Sequence, residues 1–114
     1  MNEAEFEAAL VDLAHTFGWA AVGFRPARTN KGWRTPVKWD GKGWPDLVLT
    51  HPKHGVIFAE LKTGRGRLSP EQTEWQTRLG DAGQRVFVWR PADSDGIACL
   101  LSGGRITQWR LTGA

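Results

Sequence analysis

The sequence predicts an α/β sandwich, a central mixed sheet with helices packed against it. Three observations carry that prediction. Apolar residues recur at helical spacing near the N-terminus, short apolar runs bounded by Gly, Pro and Asp read as strands, and the two kinds of segment alternate as helix, strand, hairpin, helix, strand. A chain of 114 residues supports one such domain over residues 1–114, because two cores would leave each half too small to stand alone.

Each element has local reasons. Over residues 3–17, Phe6, Leu10, Leu13 and Phe17 fall on one helix face, and Gly18 stops the helix. Residues 19–24 read as a strand. Residues 26–43 contain Pro26, Asn30, Gly32, Pro36, Gly41 and Gly43 and read as a long loop, a feature that is usually functional in a compact domain. Residues 46–50 and 56–62 form two strands that pair as a hairpin around a turn at 51–55. Residues 64–67 are a flexible basic connector. Ser69, Pro70 and Gln72 give an N-cap, a first-turn proline and the third position of a capping box, starting a helix that runs to about Leu79 and ends at Gly80 and Gly83. Residues 86–89 read as a third core strand, 91–95 as a turn, and Asp95 as the cap of a short helix through Leu101. Residues 106–111 read as an edge strand. Trp75 and Trp89 read as core.

Composition excludes several classes. Charged residues make up 24% and hydrophobic residues 40%, a globular balance rather than a disordered one. No apolar run approaches the roughly 20 residues of a membrane span. The acidic opening Asn2-Glu3-Ala4-Glu5 is unlike a secretory signal, and a single cysteine, Cys99, forms no internal disulfide, so a reducing, cytoplasmic setting is expected. Charge is uneven. Arg25, Arg28, Lys31, Arg34, Lys38 and Lys42 face only Asp40, a local balance of +5 against +3 for the whole chain. With Trp33 and Trp39 inside it, this segment suits a phosphate backbone and exposed bases, although a solvated loop has the same composition.

The chemistry-bearing residues sit on the hairpin. Asp46 opens its first strand; Glu60 and Lys62 end its second and, two apart, project from one face while Leu61 turns into the core. If Asp46 lies across the hairpin from them, two carboxylates and an ammonium converge. Hard cations such as Mg²⁺ take carboxylate, carbonyl and water oxygens, which Asp46, Glu60 and the Leu61 carbonyl offer. Lys62 would orient a water or offset charge in a transition state. The same Glu and Lys also read as a surface ion pair worth under about 1 kcal/mol.

Four ordered blocks decide between these readings: Gly43-Trp44-Pro45-Asp46-Leu47-Val48-Leu49, Phe58-Ala59-Glu60-Leu61-Lys62-Thr63, Gly66-Arg67-Leu68-Ser69-Pro70-Glu71-Gln72, and Ala82-Gly83 with Val86-Phe87-Val88-Trp89. Together they closely resemble the VRR-NUC domain of the PD-(D/E)xK superfamily, similar to Holliday junction resolvases and to stand-alone phage and bacterial nucleases. The resemblance implies a restriction-endonuclease-like core and a DNA endonuclease dependent on Mg²⁺ or Mn²⁺, selective for junctions, flaps or related branched DNA, leaving a 5′-phosphate and a 3′-hydroxyl. It puts the motif acids on Asp46 and Glu60 and the motif lysine on Lys62. The family's first-helix acid falls on Glu7, with Glu3 sharing its helix face as the reserve and Glu5 pointing elsewhere; an acidic first turn also serves the helix dipole. Gln72 matches a glutamine near the family's site, a role that competes with its place in the capping box.

Arg25 and Arg28 are the preferred phosphate contacts, with Lys31, Arg34, Lys38, Lys42, Arg65 and Arg67 as further ones and Trp33 or Trp39 stacking at a junction or flap. His51 and His54 form H-x-x-H on a turn, a poor metal arrangement. His15 reads as a packed or surface histidine, and no partner set recommends Cys99 as a nucleophile. A two-fold pair of chains would suit a near-symmetric substrate. The rival readings are a non-catalytic DNA-binding module on the same fold and, behind it, an RNA-processing nuclease.

Overall fold

A computed structural model describes residues 1–24 and 37–104, together with the backbone of two short segments at 27–29 and 32–34. The first helix, α1 (Glu3–Thr16), starts in a capping box: Asn2 Oδ1 accepts from the Glu5 N–H at 2.8 Å, and the Asn2 N–H donates to Glu5 Oε1 at 3.1 Å. Its buried face is Phe6, Leu10 and Ala14. Phe17, expected at the end of that stripe, is instead the C-cap and exposed, because Gly18 turns the chain at φ 85°.

The strands are β1 (Ala20–Gly23), β4 (Leu47–His51), β5 (Gly55–Leu61) and β6 (Arg85–Trp89), in the order β1-β4-β5-β6, after a separate ladder of β2 (Ala27–Thr29) and β3 (Gly32–Arg34). β1 and β5 flank β4 antiparallel, and β6 lies parallel to β5 with α2 (Pro70–Asp81) connecting them, so the sheet is mixed. The expected hairpin is present. Trp19 precedes β1 rather than joining it, its indole N–H donating to the Leu101 carbonyl at 2.8 Å.

Three expectations need correction. The antiparallel β2–β3 ladder lies inside the expected long loop. Three-residue strands bounded by Gly, Pro and Asn carry too few positions to show a period of two. α2 passes through Gly80 and ends at Asp81, with Gly83 at φ 81° making the break. At the last helix, α3 (Ser94–Leu101), Asp93 rather than Asp95 holds the N-cap position, and its Oδ2 accepts from the Arg90 N–H at 2.9 Å. The edge strand expected at 106–111 lies outside the described residues.

The sheet has two unlike faces. Leu47, Leu49, Ile57, Ala59, Leu61, Phe87 and Trp89 form one core cluster with Phe6 and Leu10 of α1 and Ile97 and Leu101 of α3. The alternate strand residues, among them Phe58, Glu60, Val86 and Val88, point the other way, toward α2. No helix among the described residues is long and apolar enough to cross a membrane.

Candidate active site

Strand register brings the motif acids together. Leu47 pairs with Ala59, so the next step along the ladder sets Asp46 against Glu60. The Leu61 N–H donates to Asp46 Oδ2 at 2.9 Å, which fixes the aspartate across the hairpin end. Trp44 and Pro45 deliver it there. Gly43, at φ 86°, presses against α2 so closely that a Cβ would lie 2.5 Å from the Glu71 carbonyl carbon and 2.7 Å from the Gln72 nitrogen. Only glycine fits both that backbone conformation and that approach. Trp44 then stands edge-on between Phe58 at 5.7 Å, Trp75 at 5.0 Å and Phe24 at 6.1 Å.

Glu60 is buried, at 2% exposure. Burial pushes its carboxyl up to about 10, helped by its hydrogen bond to Asp46 and by the Asp46 and Glu3 charges, while the Lys62 ammonium pulls the other way. Glu60 therefore keeps its proton at a sheet end where a second acid, Asp46, stands against it. Lys62 is half-buried there, its N–H donating to the Trp89 carbonyl at 3.0 Å, which extends the β5–β6 ladder one residue past the strand.

The first-helix acids come to the same end of the sheet by different routes. Glu3 acts on Glu60 through its charge. Glu7 lies over the end of β1: a Cβ at Gly23 would sit 3.7 Å from Glu7 Oε1 and 4.0 Å from the Asp46 carbonyl oxygen. Among the described residues no group of three or more His, Cys, Asp or Glu side chains could hold a metal ion. Asp46 and Glu60 would thus offer an ion two carboxyl groups, leaving a backbone oxygen such as that of Leu61 and water to complete its shell. The pair still fits a divalent cation, because two carboxyl groups held against each other offer the hard oxygen donors such an ion takes, with the Glu60 proton displaced on binding.

Gln72 is engaged in the cap of α2. The Ser69 N–H donates to its Oε1 at 2.9 Å and its own N–H donates to Ser69 Oγ at 3.1 Å. Gln76, one turn on, escaped the sequence reading, since nothing in a polar residue announces burial. It is 1% exposed, its Nε2 donates to the Phe87 carbonyl at 3.4 Å, and its Oε1 accepts no hydrogen bond among the described residues. Its spacing from Gln72 on the helix was the available signal.

The basic residues divide. Arg25 and Lys31 lie outside the described residues, and Arg28 and Arg34 are placed by backbone alone, in β2 and β3. Lys38, Arg65 and Arg67 are exposed. Lys42 is exposed but paired with Glu71 at 3.0 Å, and that ammonium holds the Glu71 carboxyl below its ordinary value. Trp75, expected in the core, is only half-buried; its indole N–H donates to the Asp40 and Lys42 carbonyls, both at 3.1 Å, pinning the loop ahead of Gly43. Trp89 is in the core as expected. His51 and His54 pack ring against ring at 4.4 Å beside Trp19, with the Lys53 N–H donating to His51 Nδ1 at 3.0 Å. Cys99 is free and exposed.

In comparison with known proteins, the family model for the VRR-NUC domain matches residues 22–93, a span that holds Asp46, Glu60, Lys62 and Gln72 but neither first-helix acid. No curated protein and no solved structure gave a significant match.

Proposed function

This chain belongs to the VRR-NUC domain family, a nuclease domain of the PD-(D/E)xK superfamily, and from that premise we propose that it is a DNA endonuclease that uses Mg²⁺ or Mn²⁺ and prefers branched DNA. The observation that carries this reading is the geometry of the strand ends: Asp46, fixed by the Leu61 N–H, stands across the hairpin from the buried Glu60, with Lys62 two residues on. A cluster of that kind has no structural use among the apolar residues beside it, Phe58, Val86 and Val88. The desolvation it requires weighs against folding unless a cation or a phosphate draws on it.

Asp46 and Glu60 would hold the ion, with the Leu61 carbonyl and water completing its oxygen shell and Glu7 or Glu3 adding negative charge from α1. The ion supplies Lewis-acid polarisation of a phosphoryl oxygen and lowers the pKa of nearby water. Lys62 positions the attacking water and offsets charge that grows on the phosphate oxygens. Lys38, Arg65 and Arg67 supply phosphate contacts, together with the side chains of Arg25, Arg28, Lys31, Arg34 and Lys42. A chain of this size covers little of a branched duplex, so a two-fold pair is the working assembly; light scattering that finds only monomers, with and without a four-way junction, removes that part.

The test is a cleavage panel of linear duplex, flap, four-way junction and matching RNA, with Mg²⁺, Mn²⁺ or chelator. Cutting is expected only with metal and fastest on a branched DNA. Lys62→Ala and Asp46→Asn are each expected to lower the rate about 100-fold or more. Tight DNA binding without metal-dependent cutting would instead establish a non-catalytic binding module, and preference for the RNA strands an RNA-processing enzyme.

A further inference from the structure

On the α2 side of the sheet, around Trp44, lies a groove whose aromatic walls the catalytic reading does not use. Phe24, Val37, Lys38, Trp39, Gly41 and Trp44 line it with Asp40 and Trp75, around a volume of about 410 Å³, the size of a small-ligand site. At its mouth Trp39 is 96% exposed and adopts φ 61°, the left-handed region that a bulky residue enters at a cost. The loop is not loose there. The Gly41 N–H donates to the Lys38 carbonyl at 3.0 Å, the Trp44 N–H donates to the Gly41 carbonyl at 2.9 Å, and the Trp75 indole fastens Asp40 and Lys42. A fixed turn therefore holds a large aromatic face in water.

We infer that the groove beneath Trp39 takes an unpaired nucleobase from a strand that crosses the Asp46–Glu60 pair. The inference rests on the nuclease reading and names the substrate feature that reading leaves open. Its walls are indole and hydrocarbon, which accept any base by stacking and read none by hydrogen bonds. Its rim carries Lys38 beside Asp40, within a segment of six basic residues and one acidic, so a polyanion is the occupant the charge of that segment selects. Its position suits a strand already held at the acids. Trp44 is two residues from Asp46 and meets Phe58 edge-on, and Phe58 precedes Glu60 by two on the same strand face, a step of roughly 7 Å. A phosphate at the acids thus leaves a neighbouring base within reach of the groove, provided that base is free of a partner, as at a flap, a junction arm or a single strand.

The test measures binding in chelator, where cutting does not intervene. Fluorescence anisotropy follows the full chain on a thymidine strand, the same strand with abasic sites, and a blunt duplex. The wild type is expected to bind the intact strand about tenfold more tightly than the abasic one. Trp39→Ala is expected to erase that preference without changing the affinity for duplex, and Trp39→Phe to keep most of it. Because Trp39 is almost wholly exposed, its loss leaves the packing intact. Equal affinity for intact and abasic strands, or a Trp39→Ala protein that keeps the preference, overturns the inference. The same strands are then given Mn²⁺. Cutting without base preference sinks the groove and leaves the nuclease reading standing; base preference that depends on Trp39, with no cutting of any strand, does the reverse.

Discussion

On the α1–α3 face of the sheet, Leu49, Ile57, Ala59 and Leu61 meet Phe6, Leu10, Ile97 and Leu101 with no ionisable side chain among them. On the α2 face, Glu60 and Gln76 are as deeply buried as Val86 and Val88 beside them. The same strands build both faces, since β5 alternates Ile57, Ala59 and Leu61 with Phe58 and Glu60. The first face holds the fold by removing hydrocarbon from water. The second gives up part of that gain to keep an acid pair, a carboxamide and an aromatic plug in place. Stability and chemistry are therefore separable by sheet face within a single seven-residue strand.

The largest expected effect falls on the first face. Ile57→Ala removes a side chain that is 0% exposed and is expected to lose about 3–4 kcal/mol, lowering the melting temperature by more than about 10 °C. Gln76→Leu, on the other face, removes an oxygen that accepts no hydrogen bond and is expected to lose under about 1 kcal/mol. Calorimetry of the two variants decides the matter: comparable losses would mean the faces are not differently built.

The next effect sharpens the contrast through pH. Glu60 keeps its proton in the folded chain up to about pH 10, whereas in the unfolded chain it ionises near 4.5. Between those values the folded state binds the extra proton. Stability is therefore unaffected below about pH 4.5 and falls as pH rises through the window. Metal-free wild type is expected to be clearly less stable to urea at pH 9 than at pH 5 from this source, and Glu60→Gln to flatten the profile. Mn²⁺ at pH 8 is expected to raise the melting temperature of wild type and not that of Glu60→Gln. A Glu60→Gln profile that parallels wild type would show that Glu60 ionises freely and that the pair is no cation site.

Much of this was legible from residues alone where a local rule reports a local structure. Ser69, Pro70 and Gln72 specify the start of α2 because capping is settled within four residues. Phe6 and Leu10 specify the buried face of α1, yet Ala14 and not Phe17 completes it, since a small residue gives no periodic signal and Gly18 breaks the helix one residue past Phe17. The pairing of Asp46 with Glu60 followed from hairpin parity. What escaped depends on contacts between distant segments. Gly43 is explained only by the first turn of α2 lying against it, Trp75 reads as core until its indole is seen holding Asp40 and Lys42, and nothing local marks Gln76 as buried. The site's acids were readable because a hairpin places them; its aromatic surroundings were not, because three separate segments build them.

Gln72 supplies a small effect and the finest division between structure and chemistry on the α2 face. Its Oε1 takes the Ser69 N–H while Ser69 Oγ takes its own, so each side chain closes one half of the same box. Ser69→Ala and Gln72→Ala each open one half and are expected to cost about 1 kcal/mol by urea melts. The double variant should cost less than their sum, because the second removal finds the box already open. Cleavage separates the two roles. If the glutamine serves the helix start alone, both single variants lose the same small amount of activity, through slackening of the turn that Gly43 rests on. Equal losses are the expected result, since the Gln72 carbonyl oxygen is turned back to Ser69. A Gln72→Ala rate well below that of Ser69→Ala, at matched stability, would mean that its amide nitrogen works on the bound strand, and the cap would then be how the chain aims it.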